Sequence, residues 1–341
     1  MINLIKIFII LISISSCASG EKRKSKIAKM NEKGEYVNNY LSENKPGTGD
    51  YLSFFFNSVF LPPKKKNFSV LHINKIIYEE SRTTLTWLGH SSFFYQNQDL
   101  NILIDPHFTE RASPLSFLGP KRYVPSIFNR ENLPKIDVVA ISHNHYDHLD
   151  IKSLKFIEDK NPSVFFLVPL GDKHYLRQYG IQNVKEFDWW ESIEIKKTKV
   201  YFTPVKHWSK RTLFDRNKSL WGGWWFESKD RKFLHLGDTG YTKDFLDIKN
   251  KLGSPDIVAI PIGAYEPRKI MKNNHLNPEE AVQTFLDLEA GLGVAMHWGT
   301  FILSYEPVDD PPKKLKKFLK KYNVDSNSFK ILKHGESLIF D

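Results

Sequence analysis

Cysteine occurs once in the 341 residues, at Cys17, so no disulfide can close within the chain and no zinc module built on cysteine pairs is available. Any bound metal must therefore be held by His, Asp or Glu. No repeat recurs at a period of 20 to 50 residues, which excludes solenoids and propellers. With 41% hydrophobic and 14% aromatic residues the chain has ample material for a core, so wholesale disorder and collagen-like character are excluded too. What is abundant is positive charge. Lys and Arg number 49 against 39 Asp and Glu, a formal charge of +10, which points to an anionic partner without choosing between nucleic acid, lipid surface and phosphate-bearing substrate.

The N-terminal stretch 1–16 carries Lys6, an apolar run from Ile7 to Ile12 and small residues before Cys17. It reads as a secretory signal and is too short to cross a bilayer as a mature helix. Ile14-Ser15-Ser16-Cys17 resembles a bacterial lipobox, which implies lipidation of Cys17 and a membrane-anchored lipoprotein of the bacterial cell envelope. Residues 17–80 follow as a basic tether with Lys22, Arg23, Lys24, Lys26 and Lys29, and as a membrane-proximal stretch in which Tyr51, Phe54, Phe55, Phe56 and Phe60 precede Lys64 to Lys66. The same aromatics could instead cap the core of the domain that begins at about residue 81.

From Thr84 onward short β-rich runs recur at Thr84–Tyr95, Asn101–Asp105, Asp137–Ser142, Val164–Val168, Val200–Thr203, Leu220–Glu227, Lys232–Gly237, Asp256–Ile262, Gly293–His297 and Phe329–Phe340. Helical stretches lie between them, at Ile151–Asp159, Asp172–Tyr179 and Lys313–Tyr322. The clearest opens at Asn277-Pro278-Glu279-Glu280, where a cap, a proline in the first turn and two acids at the positive end of the dipole start a helix running to Leu288. Interleaved strands and helices imply a layered α/β domain.

Three of the 12 histidines fall within His143-Asn144-His145-Tyr146-Asp147-His148, directly after the apolar run ending at Ser142. If the extended backbone continues, His143, His145 and Asp147 project to one side and His148 begins the turn. Three imidazoles crowded together without a metal would each resist the others' protonation and leave buried nitrogens needing partners. Imidazole with carboxylate suits zinc, manganese or iron.

The stretch matches the HxHxDH signature of metallo-β-lactamase-fold hydrolases, and His207, Asp238 and His297 follow in the order that fold uses. From Thr83 to His334 the chain closely resembles the N-acyl phosphatidylethanolamine-hydrolysing phospholipase D family, through Trp87-Leu-Gly-His90, Asp105-Pro106, Gly119-Pro-Lys-Arg122, Ile141–Asp150, Asp188-Trp-Trp190, Lys210-Arg-Thr212, Gly237–Tyr241, Ile260–Arg268, Pro278-Glu-Glu-Ala281, His297–Phe301 and Lys333-His-Gly-Glu-Ser337. The resemblance implies an αββα sandwich over residues 81–341, two mixed sheets packed face to face with helices outside. It implies two zinc ions (Zn2+) per chain, one on His143, His145 and His207, the other on Asp147, His148 and His297, with Asp238 bridging. It implies hydrolysis of N-acyl phosphatidylethanolamine to phosphatidic acid and an N-acylethanolamine by a hydroxide held between the metals. His275 and Tyr146 match residues the family places near the reacting phosphate, and both are expected to assist catalysis. His90 and Asp105 are expected to orient ligands, and Arg211 and Arg268 to meet substrate phosphate or anionic lipid. Lys121, Arg122 and Lys210 flank the same motifs. Trp189, Trp190, Trp221, Trp224 and Trp225 are expected in the core or at a dimer contact, and His235 is read as structural.

Two readings compete. The same metals would serve a lactonase or a nuclease-type phosphodiesterase, although no basic arm beside the motifs favours nucleic acid as partner. A non-catalytic envelope lipoprotein could retain the fold, but the complete set of matching ligand residues argues against it. Whether the chain forms a homodimer is left open by the sequence.

Overall fold

The computed structural model describes residues 23–41, 46–50, 52–53, 82–97, 100–128 and 133–341. The signal stretch, Cys17, Tyr51, Phe54 to Phe56, Phe60 and Lys64 to Lys66 lie outside them. Two seven-stranded mixed sheets form the centre of the molecule. The first contains β1 (Thr83–Gly89), β2 (Ser92–Gln96), β3 (Asn101–Ile104), β4 (Val138–Ala140), β5 (Phe165–Pro169) and β6 (Val184–Phe187), with β14 (Ser337–Phe340) beside β1. The second runs from β7 (Ser192–Ile195) through β8 (Thr198–Thr203), β9 (Gly223–Glu227), β10 (Lys232–His235), β11 (Ile257–Pro261) and β12 (Leu292–Met296) to β13 (Phe329–Lys330). Strands β3 to β6 are mutually parallel, as are β10 to β13, and the remaining pairings are antiparallel.

Alternation along β2 sorts its side chains into two cores. Phe93 and Tyr95 point inward against Phe226, Phe233 and Trp224 of the facing sheet, while Phe94 points outward to Leu154, Ile157 and Leu176. The outward group is covered by α1 (Ile151–Lys160) and α2 (Lys173–Gln178). On the opposite side α3 (Asp244–Leu252), α5 (Pro278–Asp287) and α6 (Asp310–Lys321) bury Phe245, Ile248, Val282, Phe285, Leu315 and Leu319. Each such side chain contributes roughly 1.5–3 kcal/mol by leaving water. The result is the expected αββα sandwich. Asn277 caps α5 in a reciprocal box, its side chain accepting from Glu280 N while Glu280 accepts from Asn277 N. Trp189, Trp221, Trp224 and Trp225 sit in the core and the half-buried Trp190 packs against it: Trp189 Nε1 donates to Trp221 O at 2.6 Å, and Trp224 Nε1 to Ile141 O at 2.9 Å.

Several elements depart from the sequence pattern. The run Thr84–Tyr95 is a hairpin that turns at His90 (φ +53°), because two strands of the same apolar composition differ only in the turn between them. Phe329–Phe340 divides between the two sheets as β13 and β14. The helices α3 and α4 (Arg268–Met271) and the strands β6 and β7 are additions.

Residues 23–41 are not a free tether. The Asp188 carboxylate accepts from Ser25 Oγ at 2.7 Å and from the backbone N–H groups of Lys26 and Ile27 at 2.8 and 3.1 Å. Arg23 pairs with Glu191, Tyr36 is buried, Asn39 donates to Asp244 Oδ1 at 2.8 Å and Tyr40 to Asp247 Oδ2 at 2.7 Å. A polar strap held by hydrogen bonds leaves no apolar period to read.

Candidate metal centre

The carboxyl ends of strands from both sheets converge on one edge of the sandwich. His143 to His148 follow β4, His207 follows β8, Asp238 follows β10 and His297 follows β12. Past Ala140 the backbone leaves the extended form: His148 N and Leu149 N both bond to His145 O, so the motif wraps around the site instead of continuing as a strand. Gly237 (φ +62°) permits this closeness, since a Cβ there would stand 2.8 Å from Ser142 Cβ. His90, Asp105 and His297 also hold positive φ (+53°, +43° and +61°), so backbone strain collects where the side chains meet.

Two nests of donor atoms result. In the first, His145 Nδ1 lies 2.8 Å from His143 Nε2 and 3.2 Å from His207 Nε2. In the second, Asp147 Oδ2 lies 2.8 Å from His90 Nε2, 3.4 Å from His148 Nε2 and 3.7 Å from His297 Nε2. Asp238 stands between them. Its Oδ2 is 3.9 Å from His143 Nε2, 3.8 Å from His207 Nε2 and 3.1 Å from His148 Nε2, and its Oδ1 is 3.2 Å from His297 Nε2. In each nest the donor atoms all fall within 4.8 Å of one another.

These residues fit a metal. His145 Nε2, Asp238 Oδ1, His275 Nδ1 and both ring nitrogens of His297 are buried with no hydrogen-bond partner, a costly arrangement unless something else binds them. The charges agree. Burial favours neutral carboxyls, yet His148 beside them holds Asp147 and Asp238 well below the usual carboxylate range. Burial likewise opposes charge on His148 and His297, but the carboxylates outweigh it, lifting His148 well above its usual value and His297 to about 9. At His145 and His207 burial, helped by the neighbouring imidazoles, outweighs the carboxylates and takes both down to about 3. Two buried carboxylates thus demand positive charge, which a divalent cation supplies while leaving the imidazoles neutral to bind it.

Around the nests, Asp105 orients His148: its Oδ2 is 2.8 Å from His148 Nδ1 and accepts from Ser142 Oγ at 2.6 Å, while Oδ1 accepts from Ser142 N at 2.7 Å. His207 Nδ1 donates to Asn274 O at 2.9 Å. His90, expected only to orient a ligand, reaches Asp147 directly, and its ring lies 4.1 Å from that of His297. His235 bonds Ser91 O and Gly237 N within the fold, as read. His275 completes the wall, its Nδ1 4.0 Å from Asp238 Oδ2, and burial lowers it to about 3, so the ring is neutral at pH 7.

Three expectations need correction. Tyr146 does not aim its hydroxyl at the cluster; it donates to Arg211 O at 2.8 Å. Arg211 is buried, with its guanidinium 3.8 Å from the Tyr146 ring centre, and donates from Nη1 to Asn144 O at 3.2 Å and from Nε to Tyr175 Oη at 3.0 Å; it braces the histidine loop from behind. Arg268 is bound to both Glu280 oxygens at 2.8 and 2.7 Å and to His275 O at 3.0 Å, so its guanidinium is engaged within the fold, where it fixes His275. Ser142, Asn274 and Asn38 were missed. Ser142 could have been suspected from its place at the strand end; Asn38 gives no local signal.

Sandwich and cluster together define a metal-dependent hydrolase of the metallo-β-lactamase fold, and a family model described as a beta-lactamase superfamily domain matches residues 100–298. The fold is similar to that of Igni18, a metallo hydrolase from Ignicoccus hospitalis (TM-score 0.58, 22% identity, covering 76% of this chain and 99% of that one). The N-acyl-phosphatidylethanolamine-hydrolyzing phospholipase D 1 of Caenorhabditis elegans is 38% identical over 293 residues, 81% of this chain and 82% of the relative. A mitochondrial protein of the same description from Saccharomyces cerevisiae is 38% identical over 266 residues, 75% of this chain and 56% of its own length. The chain belongs to the N-acyl phosphatidylethanolamine-hydrolysing phospholipase D family.

Proposed function

We propose that the protein is a zinc-dependent phosphodiesterase of phospholipase D type that hydrolyses N-acyl phosphatidylethanolamine to phosphatidic acid and an N-acylethanolamine. The carrying observation is the place of Asp238 between two histidine nests, with His275 facing it. His143, His145 and His207 would hold one zinc, Asp147, His148 and His297 the other, with Asp238 shared. Bound there, the pair would supply a water of lowered pKa and polarise a phosphoryl oxygen. In the balanced reaction a water oxygen bonds to phosphorus, the bond from phosphorus to the ethanolamine oxygen breaks, and that oxygen leaves with a proton. The neutral His275 ring has one nitrogen that donates and one that accepts a hydrogen bond, and its place facing Asp238 puts it beside the reacting phosphate, where it would relay a proton.

An anionic substrate agrees with a cationic cleft of about 430 Å³ lined by Arg111, Lys121, Arg122, Tyr123 and Ile302. The Arg122 guanidinium lies 5.4 Å from the Phe301 ring, and that ring packs at 5.2 Å on His90, so the cleft adjoins the site. Membrane attachment through lipidated Cys17 is part of the proposal. Only residues 18–22 separate Cys17 from the docked Arg23, a reach of no more than about 22 Å. An anchor there would keep the sandwich at the bilayer surface.

The test is incubation of the purified protein with N-acyl phosphatidylethanolamine and with diacyl phosphatidylethanolamine, with and without chelator. Chelator-sensitive release of N-acylethanolamine and phosphatidic acid from the first lipid is the expected result. Turnover of a lactone or a nucleic acid, with neither lipid cleaved, would favour the alternative hydrolases.

A further inference from the structure

We propose that Asn38 is a positioning residue for His207, so that the strap of residues 23–41, which precedes β1 and lies outside the 100–298 match, completes the candidate metal centre. Asn38 grips the backbone of His207 from both sides: His207 N donates to Asn38 Oδ1 at 3.1 Å, and Asn38 Nδ2 donates to His207 O at 3.0 Å. The same Oδ1 accepts from Trp221 Nε1 at 3.1 Å. Trp221 is buried in the core, so the asparagine itself is fixed at a third point.

His207 needs such a hold. It lies beyond the end of β8, outside any regular ladder. Its neighbours are held by the isolated bridge between Lys206 and Gly240, by Lys206 N donating to Thr239 Oγ1 at 3.1 Å and by Ser209 N donating to Asn217 Oδ1 at 3.2 Å, but among the described residues Asn38 alone bonds the His207 backbone itself. Its ring is set by Nδ1 bonding to Asn274 O, a contact that fixes ring rotation but not the height of the Cα above the first nest. A planar amide that donates and accepts on one residue supplies the missing restraint, as a strand neighbour would. The strap is held by contacts of its own elsewhere, through Asp188, Asp244 and Asp247, so loss of the Asn38 amide alone would leave it docked.

The inference rests on His207 being a metal ligand, and the experiment separates the two claims. Zinc affinity of the full chain is measured by competition with a chromophoric chelator for wild type, His207→Ala, Asn38→Ala, Asn38→Asp and Asn39→Ala. Asn39→Ala removes a strap contact of the same type that ends on α3, away from His207. Partners that orient metal ligands are worth 10- to 100-fold in affinity, so Asn38→Ala is expected to weaken the zinc held by His143, His145 and His207 by about tenfold or more. Asn38→Asp, which keeps the acceptor for His207 N and Trp221, is expected to lose less, and Asn39→Ala to bind as wild type. Metal-free melting temperatures of Asn38→Ala and Asn39→Ala are expected to fall alike. Wild-type affinity in Asn38→Ala, or an equal loss in Asn39→Ala, overturns the proposal; wild-type affinity in His207→Ala overturns the ligand assignment instead. If Asn38→Ala does not fold, the comparison of Asn38→Asp with Asn39→Ala decides.

Discussion

His275 Nδ1 and Asp238 Oδ2 face each other at 4.0 Å, both buried and with no hydrogen bond between them. The gap separates two roles that activity alone would merge. Asp238→Asn removes a shared anionic donor, so it is expected to lose bound zinc and to lower kcat by roughly two orders of magnitude or more. His275→Gln keeps the nests whole and is expected to retain both zinc ions while kcat falls by about 10²- to 10⁴-fold. Metal analysis alongside turnover checks both, and full activity in Asp238→Asn would sink the shared-carboxylate reading.

Arg268 offers a second separation. It ties Glu280, the capping-box partner of Asn277, to the carbonyl of His275, so Arg268→Met is expected to destabilise the fold by about 1–3 kcal/mol and to lower kcat while KM changes little. A selective rise in KM would return it to the substrate side. For Tyr146, whose hydroxyl is taken up by Arg211 O, Tyr146→Phe is expected to keep near wild-type kcat; a large loss would show that the phenol acts in the reaction.

What was legible in the sequence was what spacing encodes. His143, His145, Asp147 and His148 sit within one turn's reach of a strand end, and the apolar runs before His207, Asp238 and His297 mark the strands that deliver them. Asn277 was legible because capping is local. Arg211, Arg268 and Tyr146 were misjudged because a motif position says that a side chain is near the site, not which way it faces, and here each is spent on a backbone carbonyl. Asn38, and the part Asp188 plays in holding the strap, were invisible because the partners lie well over a hundred residues away and the contacts are polar, leaving no periodicity.

Asp105 tests how far orientation matters. Its carboxylate fixes the His148 ring and the Ser142 hydroxyl together. Asp105→Asn is expected to weaken zinc binding by about 10- to 100-fold, and titration with a competing chelator would read it. Unchanged affinity would mean that Ser142 alone suffices.

Asp172, which holds Asn144 behind the histidine loop, carries a prediction about pH. Burial pushes its carboxyl up to about 7, with Asn144 Nδ2 donating to Oδ1 at 2.9 Å and Oδ2 left without a partner. A carboxyl raised in the folded state binds its proton more tightly there than in the unfolded chain. Stability is therefore lost as pH rises from the unfolded value near 4 toward 7, and the loss is complete above 7. Asp172→Asn cannot ionise and still offers an oxygen to Asn144. Its stability relative to wild type is expected to grow across that interval and then level, by at most about 4 kcal/mol. Urea unfolding at several pH values between 4 and 8 measures the difference, and a flat difference would mean that Asp172 titrates normally.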